Sequence, residues 1–541
     1  MNHGRQLYII ELIEQLSPLE HIELSAATLK FSPITTMYYL GIDNGGSMTK
    51  AALFDETGTL ISVCSEKVEL LHPQPGMEEV DGEQLWNSNV KAIRSVIEQS
   101  KINPLEIACV ACAGHGNGMY LVDGDGAALV GIRSTDIRAR EYVDQWERDG
   151  VVDALMDTTT QRTWAAQPNA LLRWFEDNRP ETLQKAKWMF MVKDFVRFKL
   201  TGEAYMELTD ASATSLLNNQ TAQWDDDLLQ AWGVEKYRRL LPPLAQTTQI
   251  CGRVTPDAAQ ETGLAVGTPV AGGMFDIDAV GLGVGMTDPT SLCLISGTWG
   301  NNQYIAPAPV VSKDIFMTTL YSIPGYYLML EGSATSTSNL EWTLSTFFKA
   351  DKELLAVTNS EKTIYDVLNE ELAATEPETS GAIFLPYLYV CPANPDGKGV
   401  LFGLDAWQNR GHVMRAVCEG IVFAHYWHIE RLLKFRTKPG EILLAGGAAK
   451  SPIWRQMFAD VFQTPVRVPD GAELGALGAA IAAAVAVGAF PDCQSACKTF
   501  VKFSSVNQPD ESKADVYAKK YARFKKLLEV LNPSWKELLW K

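Results

Sequence analysis

The stretch that most constrains the fold is a hairpin punctuated by glycine, Leu40-Gly41-Ile42-Asp43-Asn44-Gly45-Gly46-Ser47-Met48-Thr49-Lys50. Apolar runs enter it (Tyr38 to Ile42) and leave it (Ala51 to Phe54), so it reads as two strands joined by a tight turn. Glycines allow close approach to the backbone, and free N–H groups in such a turn can cradle an anion. Asp43 could hold a metal-bound water and Lys50 could neutralise a phosphate. A solvated hairpin tip is the other reading of the same residues, and this window alone does not choose between them.

The chain has 541 residues, too many for one core, and two domains of a few hundred residues are expected. The boundaries predicted are an extension over residues 1–36, an N-terminal domain over 37–284 and a C-terminal domain over 285–541. The extension is read as lying upstream of Met37, and Glu11 and Glu14 interrupt any signal-peptide apolar core. A formal charge of −18 argues against nucleic acid or an anionic membrane as the main partner. The nine cysteines lack metal-ligand spacing, and Cys109 and Cys112 fall within an apolar strand, so they read as buried free thiols. The run Leu474 to Phe490 is built largely from Ala and Gly without basic anchors, which predicts a buried helix rather than a membrane span. A soluble cytoplasmic protein is expected. A homodimer is compatible with the sequence.

Three strands (Tyr38–Ile42, Lys50–Asp55, Leu60–Cys64), a helix capped by Asp81 and a strand Ile107–Ala113 form the opening of a ribonuclease-H-like α/β domain. Alternating glycines follow in Gly114-His115-Gly116-Asn117-Gly118, which suits a loop at a strand carboxyl end lining a cleft. The polar patch Arg133-Ser134-Thr135-Asp136-Ile137-Arg138 holds the Asp, Arg and hydroxyl groups that can grip a polyhydroxylated ligand, or could be a capped, salt-bridged helix start. Residues 151–265 are expected to be helical, with Trp188 to Leu200 in one helix. Next, an apolar strand runs into Gly272-Gly273-Met274-Phe275-Asp276 at the mouth of a helix. Asp276 there suits a general base beside a substrate hydroxyl, with an N-cap as the plain alternative and Asp278 as competitor.

The second half repeats the architecture without repeating the letters. Ser291–Ile295, the turn Ser296-Gly297-Thr298-Trp299-Gly300 and Asn301–Ile305 form a second hairpin, followed by a strand Tyr326–Glu331 and a helix Thr335–Phe348. Two such hairpins across a cleft could hold a polyphosphate from both sides. Further on, Gly446 and Gly447 lie between a strand and the helix Pro452–Phe462, where a flat ring or ribose could rest on the backbone. No P-loop motif occurs.

Taken together these motifs resemble the FGGY carbohydrate kinases of the actin/hexokinase/Hsp70 superfamily. Asp43 to Lys50 matches the family's Asp-x-Gly-Thr/Ser phosphate turn, and Val192 to Gly202 with Asp210-Ala211-Ser212 matches its first signature region. Gly399-Val400-Leu401-Phe402-Gly403-Leu404, His412-Val413 and Ala416 to Glu419 match the second signature, and Gly446 to Phe462 looks like the adenosine motif. Besides Cys418 in the second signature and Ala448 where a glycine is common in the adenosine motif, two departures matter. Gly46 stands where Thr or Ser is usual, and Trp299 where a small residue is usual. The Gly-Gly-Ser turn, Ser134-Thr135-Asp136-Ile137-Arg138-Ala139, Thr160 to Trp164 and Gly272 to Asp276 are most similar to the L-xylulose kinase branch.

The resemblance implies two ribonuclease-H-like domains flanking a deep cleft, with ATP and Mg2+ as cofactors. It implies a ketopentose acceptor, L-xylulose or D-xylulose, in carbohydrate catabolism. Asp276 would be the base; Gly114, His115, Asp136 and Arg138 would hold the sugar. Gly45, Gly46, Ser47, Lys50, Gly297 and Thr298 would contact phosphates, Gly446, Gly447, Ala448 and Ser451 the nucleoside, and Asp43 the magnesium. A polyol kinase of the erythritol, xylitol or glycerol type is the alternative acceptor reading. A non-catalytic ATP-binding sensor is the rival from another class, and the carboxylate at Asp276 argues against it.

Overall fold

The computed structural model describes residues 36–358 and 360–539. The predicted extension, apart from Thr36, therefore lies outside the described residues. The fold is α/β, organised on two seven-stranded sheets of ribonuclease-H-like type.

In the first sheet the spatial order is Ile250–Arg253, Pro269–Ala271, Ile107–Gly114, Tyr38–Asn44, Met48–Phe54, Leu60–Lys67, with Met274–Phe275 alongside Ile107–Gly114. The hairpin predicted from the opening turn is present, with Asp43 opposite Lys50 and Asn44 opposite Thr49. Its first strand also pairs in parallel with Ile107–Gly114, so Asn44 meets Gly114. Both strands are covered on both faces, which explains why they read as continuous apolar runs rather than alternating ones. Helix Gly82–Ser100 covers the hairpin, and the Asp81 side chain accepts the Gln84 N–H as a cap.

The second sheet runs Met317–Leu320, Tyr327–Ser333, Gly300–Ala306, Ser291–Ser296, Glu441–Gly446, Val466–Pro469, Phe503–Asn507. Its wiring repeats the first: a hairpin (Ser296 opposite Gly300) whose leading strand pairs in parallel with a later one, Ser296 meeting Gly446. Helix Thr337–Phe347 follows its strands, two residues shorter at the start than expected.

The helical reading of residues 151–265 fails in places: Ile250–Arg253 is a strand of the first sheet, and a second departure lies earlier. Trp188–Phe190 is a strand, not the start of a helix, and it closes a four-stranded sheet with Met119–Val122, Ala128–Ile132 and Glu79–Val80. Pairing of Tyr120 with Phe190 and Val122 with Trp188 outweighs local helix preference. Met191 is still extended, and the helix begins only at Val192.

Helix Leu474–Ala486 is the buried helix that its Ala/Gly composition predicts. It packs on Tyr38–Asn44, Ile107–Gly114 and helix Asp276–Gly283, and small side chains permit that closeness. Among the described residues no helix is long and apolar enough to cross a membrane. Cys109 and Cys112 are buried free thiols, pushed up to about 12 by desolvation.

Candidate active site

Parallel pairing gathers three strand ends at one edge of the first sheet. Asn44 lies beside Gly114, and Met274 and Phe275 lie beside Ala113 and Gly114. Asp43, His115 and Asp276 are thus delivered together without any of them being near another in sequence. Gly273 makes this register possible: its φ is +79°, and a Cβ there would overlap the Cys112 carbonyl. Asp276 is the first residue of its helix, while Phe275 holds the N-cap position.

A buried charge cluster fixes the loop carrying Asp276. Arg197 Nη1 donates to the Gly272 carbonyl at 2.6 Å, and the Phe275 N–H donates to Thr209 Oγ1 at 2.9 Å. Behind them Lys193 Nζ lies 3.0 Å from Asp194, 2.9 Å from Asp210 and 3.3 Å from Glu207. Arg197 pairs with Asp194 at 2.8 Å. The region Val192 to Ser212 was recognisable in the sequence as a motif, but its role of holding the Gly272–Asp276 loop was not.

Asp276, Asp43 and Asp278 are each disfavoured as anions. Burial pushes Asp276 well above the usual carboxylate range, and the nearby Asp43 and Asp210 carboxyls push the same way. Asp43 rises to about 6, chiefly by burial, with Lys50 opposing and Glu473 adding to the rise. Asp278 is also raised by burial, but it faces away from the cleft; its Oδ1 accepts the Ser322 N–H at 2.8 Å. Burial and the Arg133 guanidinium lower His115 to about 3, so its imidazole is neutral and able both to donate and to accept.

A cleft of about 870 Å³ opens beside Asp276 and His115, and neither Asp43 nor Asp278 is among its lining residues. Gly46, Ser47, His115, Asp136 and Asp276 line it from one side, and Thr298 and Trp299 from the other. The two glycine turns therefore border one cleft. At its mouth Trp164 stacks on Phe316, with ring centroids 4.8 Å apart.

Other expected site residues lie elsewhere. Lys50 does not line the cleft; its ammonium binds Glu473 at 2.8 Å, at the start of helix Leu474–Ala486. Gly45 and Gly297 stand just behind the lining residues of their turns, and Gly114 is buried against Val192 and Lys193. Arg138 corrects the reading that it grips a sugar. Its side chain is fully buried, pairs with Asp136 at 2.8 Å and Glu79 at 2.9 Å, and lies 4.9 Å from the Trp174 ring. Asp136 reaches the cleft wall, but both oxygens are engaged, by Arg138 and by the Glu78 N–H. The pair is a salt-bridged turn.

In the stretch expected to meet a nucleoside, Gly446 and Gly447 are exposed beside the second turn, and Ala448 is buried. The Ser451 hydroxyl caps helix Pro452–Phe462 through the Trp454 N–H and donates to Asn369 Oδ1, so it is committed to the fold.

Two cleft residues were not singled out as site residues in the sequence, although both lie in stretches read as lining or gripping a ligand. Arg133 sits just past the strand Ala128–Ile132, is 7% exposed, and has Nε and Nη1 without partners. Asn117 is 2% exposed with Oδ1 unpartnered, and its backbone is left-handed at φ +61°. Within Arg133 to Arg138, hydropathy cannot tell which arginine points inward. The positive φ at Asn117 was hinted at only by its neighbouring glycines.

Among the described residues no group of three or more His, Cys, Asp or Glu could cage a metal. Magnesium does not demand one, because it takes one or two carboxylates with water and phosphate oxygens. Asp43 fits that chemistry, since its buried Oδ1 has no hydrogen-bond partner.

Comparison with known proteins accounts for this arrangement. Residues 38–283 match the family model "FGGY family of carbohydrate kinases, N-terminal domain" and 292–487 the corresponding C-terminal domain. A probable L-xylulose kinase from Pasteurella multocida is 35% identical over 91% of this chain and 99% of its own length. An L-xylulose/3-keto-L-gulonate kinase from Escherichia coli is 32% identical over 92% of this chain and 97% of its own length. The crystal structure of a xylulose kinase from Lactobacillus acidophilus has the same fold, with a TM-score of 0.84 at 24% identity, covering 93% of this chain and all of that one. The chain belongs to the FGGY family of carbohydrate kinases, phosphotransferases with an alcohol group as acceptor.

Proposed function

We propose that the protein transfers the γ-phosphate of ATP to a hydroxyl of a ketopentose of the L-xylulose kind, in carbohydrate catabolism. The observation that carries this reading is the Asp276 carboxyl, held at the cleft edge between two glycine turns with its affinity for a proton raised. A base so placed accepts the acceptor's hydroxyl proton as the oxygen attacks phosphorus. Phosphoryl transfer needs mainly in-line positioning and charge neutralisation. Gly46, Ser47 and Thr298 border the space the phosphates would occupy, and Gly446 and Gly447 offer an open surface to the nucleoside. Asp43 would orient magnesium, which supplies neutralisation of the phosphate charge when bound. His115 and Asn117 present neutral donors and acceptors to sugar hydroxyls. The boundary between the sugar-side and nucleotide-side halves is placed near residues 284–285. The likeness to L-xylulose kinases at 32–35% identity supports the acceptor class.

The test is an ADP-release assay over ketopentoses, aldoses and polyols, with Asp276→Asn as control. The ketopentose reading expects L-xylulose or D-xylulose to give the highest kcat/KM. Faster turnover of erythritol, xylitol or glycerol would replace it with a polyol kinase. ADP release independent of every sugar would replace it with an ATPase or sensor.

A further inference from the structure

The first turn brings no free cation to the cleft. Lys50 is held by Glu473 at 2.8 Å, and Gly46 has no side chain to offer a phosphate. Phosphoryl transfer depends on meeting the charge spread over the phosphoryl oxygens, so that charge needs another partner. Among the described residues two cations line the cleft, Arg133 and Arg140. Arg140 is exposed and pairs with Asp144 at 3.1 Å. Arg133 is 7% exposed, and its Nε and Nη1 have no hydrogen-bond partner. Glu78, the carboxylate whose charge acts on it, accepts the Thr135 hydroxyl instead. A buried guanidinium in this state is costly until a ligand completes it, and its planar fork matches phosphoryl oxygens with two parallel bonds.

Position identifies the ligand. A Cβ on Gly46 would come 2.5 Å from Arg133 Nη2, so the guanidinium lies against the first turn and fills the space a side chain there would take. Its charge also acts on His115, in the loop that faces the acceptor. The guanidinium therefore stands at the seam between turn and loop, where a phosphoryl group passes from nucleotide to acceptor. We propose that Arg133 is a catalytic residue that grips the transferring phosphoryl group, supplying from the small four-stranded sheet the charge that the first turn lacks. The acceptor oxygen bonds to phosphorus as the bond from phosphorus to the ADP oxygen breaks. Asp276 takes the hydroxyl proton, and Arg133 keeps its own protons throughout. The charged groups acting on Asp276 are Asp43 and Asp210, so the guanidinium does not weaken the base.

The inference rests on the sugar-kinase reading, and the experiment separates the two. The acceptor is whichever sugar or polyol the wild type turns over fastest. For the wild type, Arg133→Met and Arg133→Lys, kcat and both KM values are measured, with thermal melting as the folding control. Calorimetry gives the affinities for ADP and for a non-hydrolysable ATP analogue. Arg133→Met should lose about a thousandfold in kcat, the scale for an arginine that meets the transferring group, with acceptor KM within about threefold of the wild type. ADP affinity should hold, the preference for the analogue over ADP should fall about tenfold, and Arg133→Lys should recover part of both losses. A raised acceptor KM with kcat retained would assign the guanidinium to the sugar and overturn the proposal. Should Arg133→Met fail to fold, a crystal structure of the wild type with ADP, aluminium fluoride and acceptor decides. An Arg133 nitrogen about 3 Å from a fluoride upholds the proposal, and a guanidinium bonded only to sugar or protein overturns it. If no acceptor is phosphorylated the kinase reading fails, while the analogue-to-ADP preference still upholds or refutes the contact between Arg133 and the terminal phosphate.

Discussion

The two glycine turns have the same wiring and opposite chemistry. Each joins an antiparallel hairpin whose leading strand lies parallel to a strand ending in glycine, Gly114 in one case and Gly446 in the other. The first turn is charged: Asp43 precedes it, Lys50 and Glu473 close its base, and the Arg133 guanidinium lies against Gly46. The second is backed by an uncharged relay. Ser296 and Ser336 hydroxyls are 2.9 Å apart, Ser336 is 3.0 Å from His425 Nε2, and His425 Nδ1 is 2.9 Å from Asn302 Oδ1. Burial lowers His425 to about 3, so it is neutral. Because Asn302 Nδ2 donates to the Glu331 carbonyl, its Oδ1 faces the imidazole, which donates from Nδ1 and accepts at Nε2. One turn is surrounded by ionisable groups, and the other is held by hydroxyls and a neutral imidazole.

That contrast can be broken at named positions. Asp43→Asn removes the carboxylate from the first turn and should lower turnover about a hundredfold, with the magnesium requirement raised, as read in a metal titration of the ADP-release rate. An equal loss without a changed metal requirement would mean Asp43 only shapes the turn. Gly46→Ser would crowd Arg133 beside the phosphate turn, and its KM for the acceptor should rise about tenfold, the scale set by a lost contact in a substrate pocket, with a smaller rise in the nucleotide KM. Trp299→Gly, on the exposed side of the second turn, should do the reverse: a change of about threefold in nucleotide KM and little in acceptor KM. The smallest effect is on stability. Because burial raises Asp43 to about 6 in the fold, above the ordinary aspartate value of 3.8, the folded protein holds that proton more tightly, and raising the pH through this window removes stability. Asp43→Asn escapes the loss, so its melting temperature without ligands should gain about 2 °C on the wild type between pH 4 and pH 7.

How much was legible in the sequence follows the same division. Glycine and apolar periodicity act locally, so both turns, their strands and the Asp276 helix could be read from nearby residues. What failed depended on distant partners. The ammonium of Lys50 meets Glu473 from a helix more than four hundred residues away, and no local pattern announces that. Arg133 and Arg138 are five residues apart in one polar patch, yet one borders the cleft and the other is locked against Asp136 and Glu79. Sequence spacing could not rank them, because the choice is made by the small sheet, whose strand Trp188–Phe190 was itself expected to be helix. Ser451 likewise reads as a ligand-facing hydroxyl until its helix and Asn369 are in place.

The account stands on Asp276 being the base that the cleft presents and Asp278 being a buried structural carboxyl. Single-turnover phosphorylation of the preferred sugar, measured for Asp276→Asn and Asp278→Asn with nucleotide affinity recorded alongside, tests it directly. Asp276→Asn should slow the chemical step about a hundredfold to ten-thousandfold, the range for a positioned base, while nucleotide affinity is retained. Asp278→Asn should slow it far less. Near-normal turnover in Asp276→Asn together with loss in Asp278→Asn would contradict the assignment.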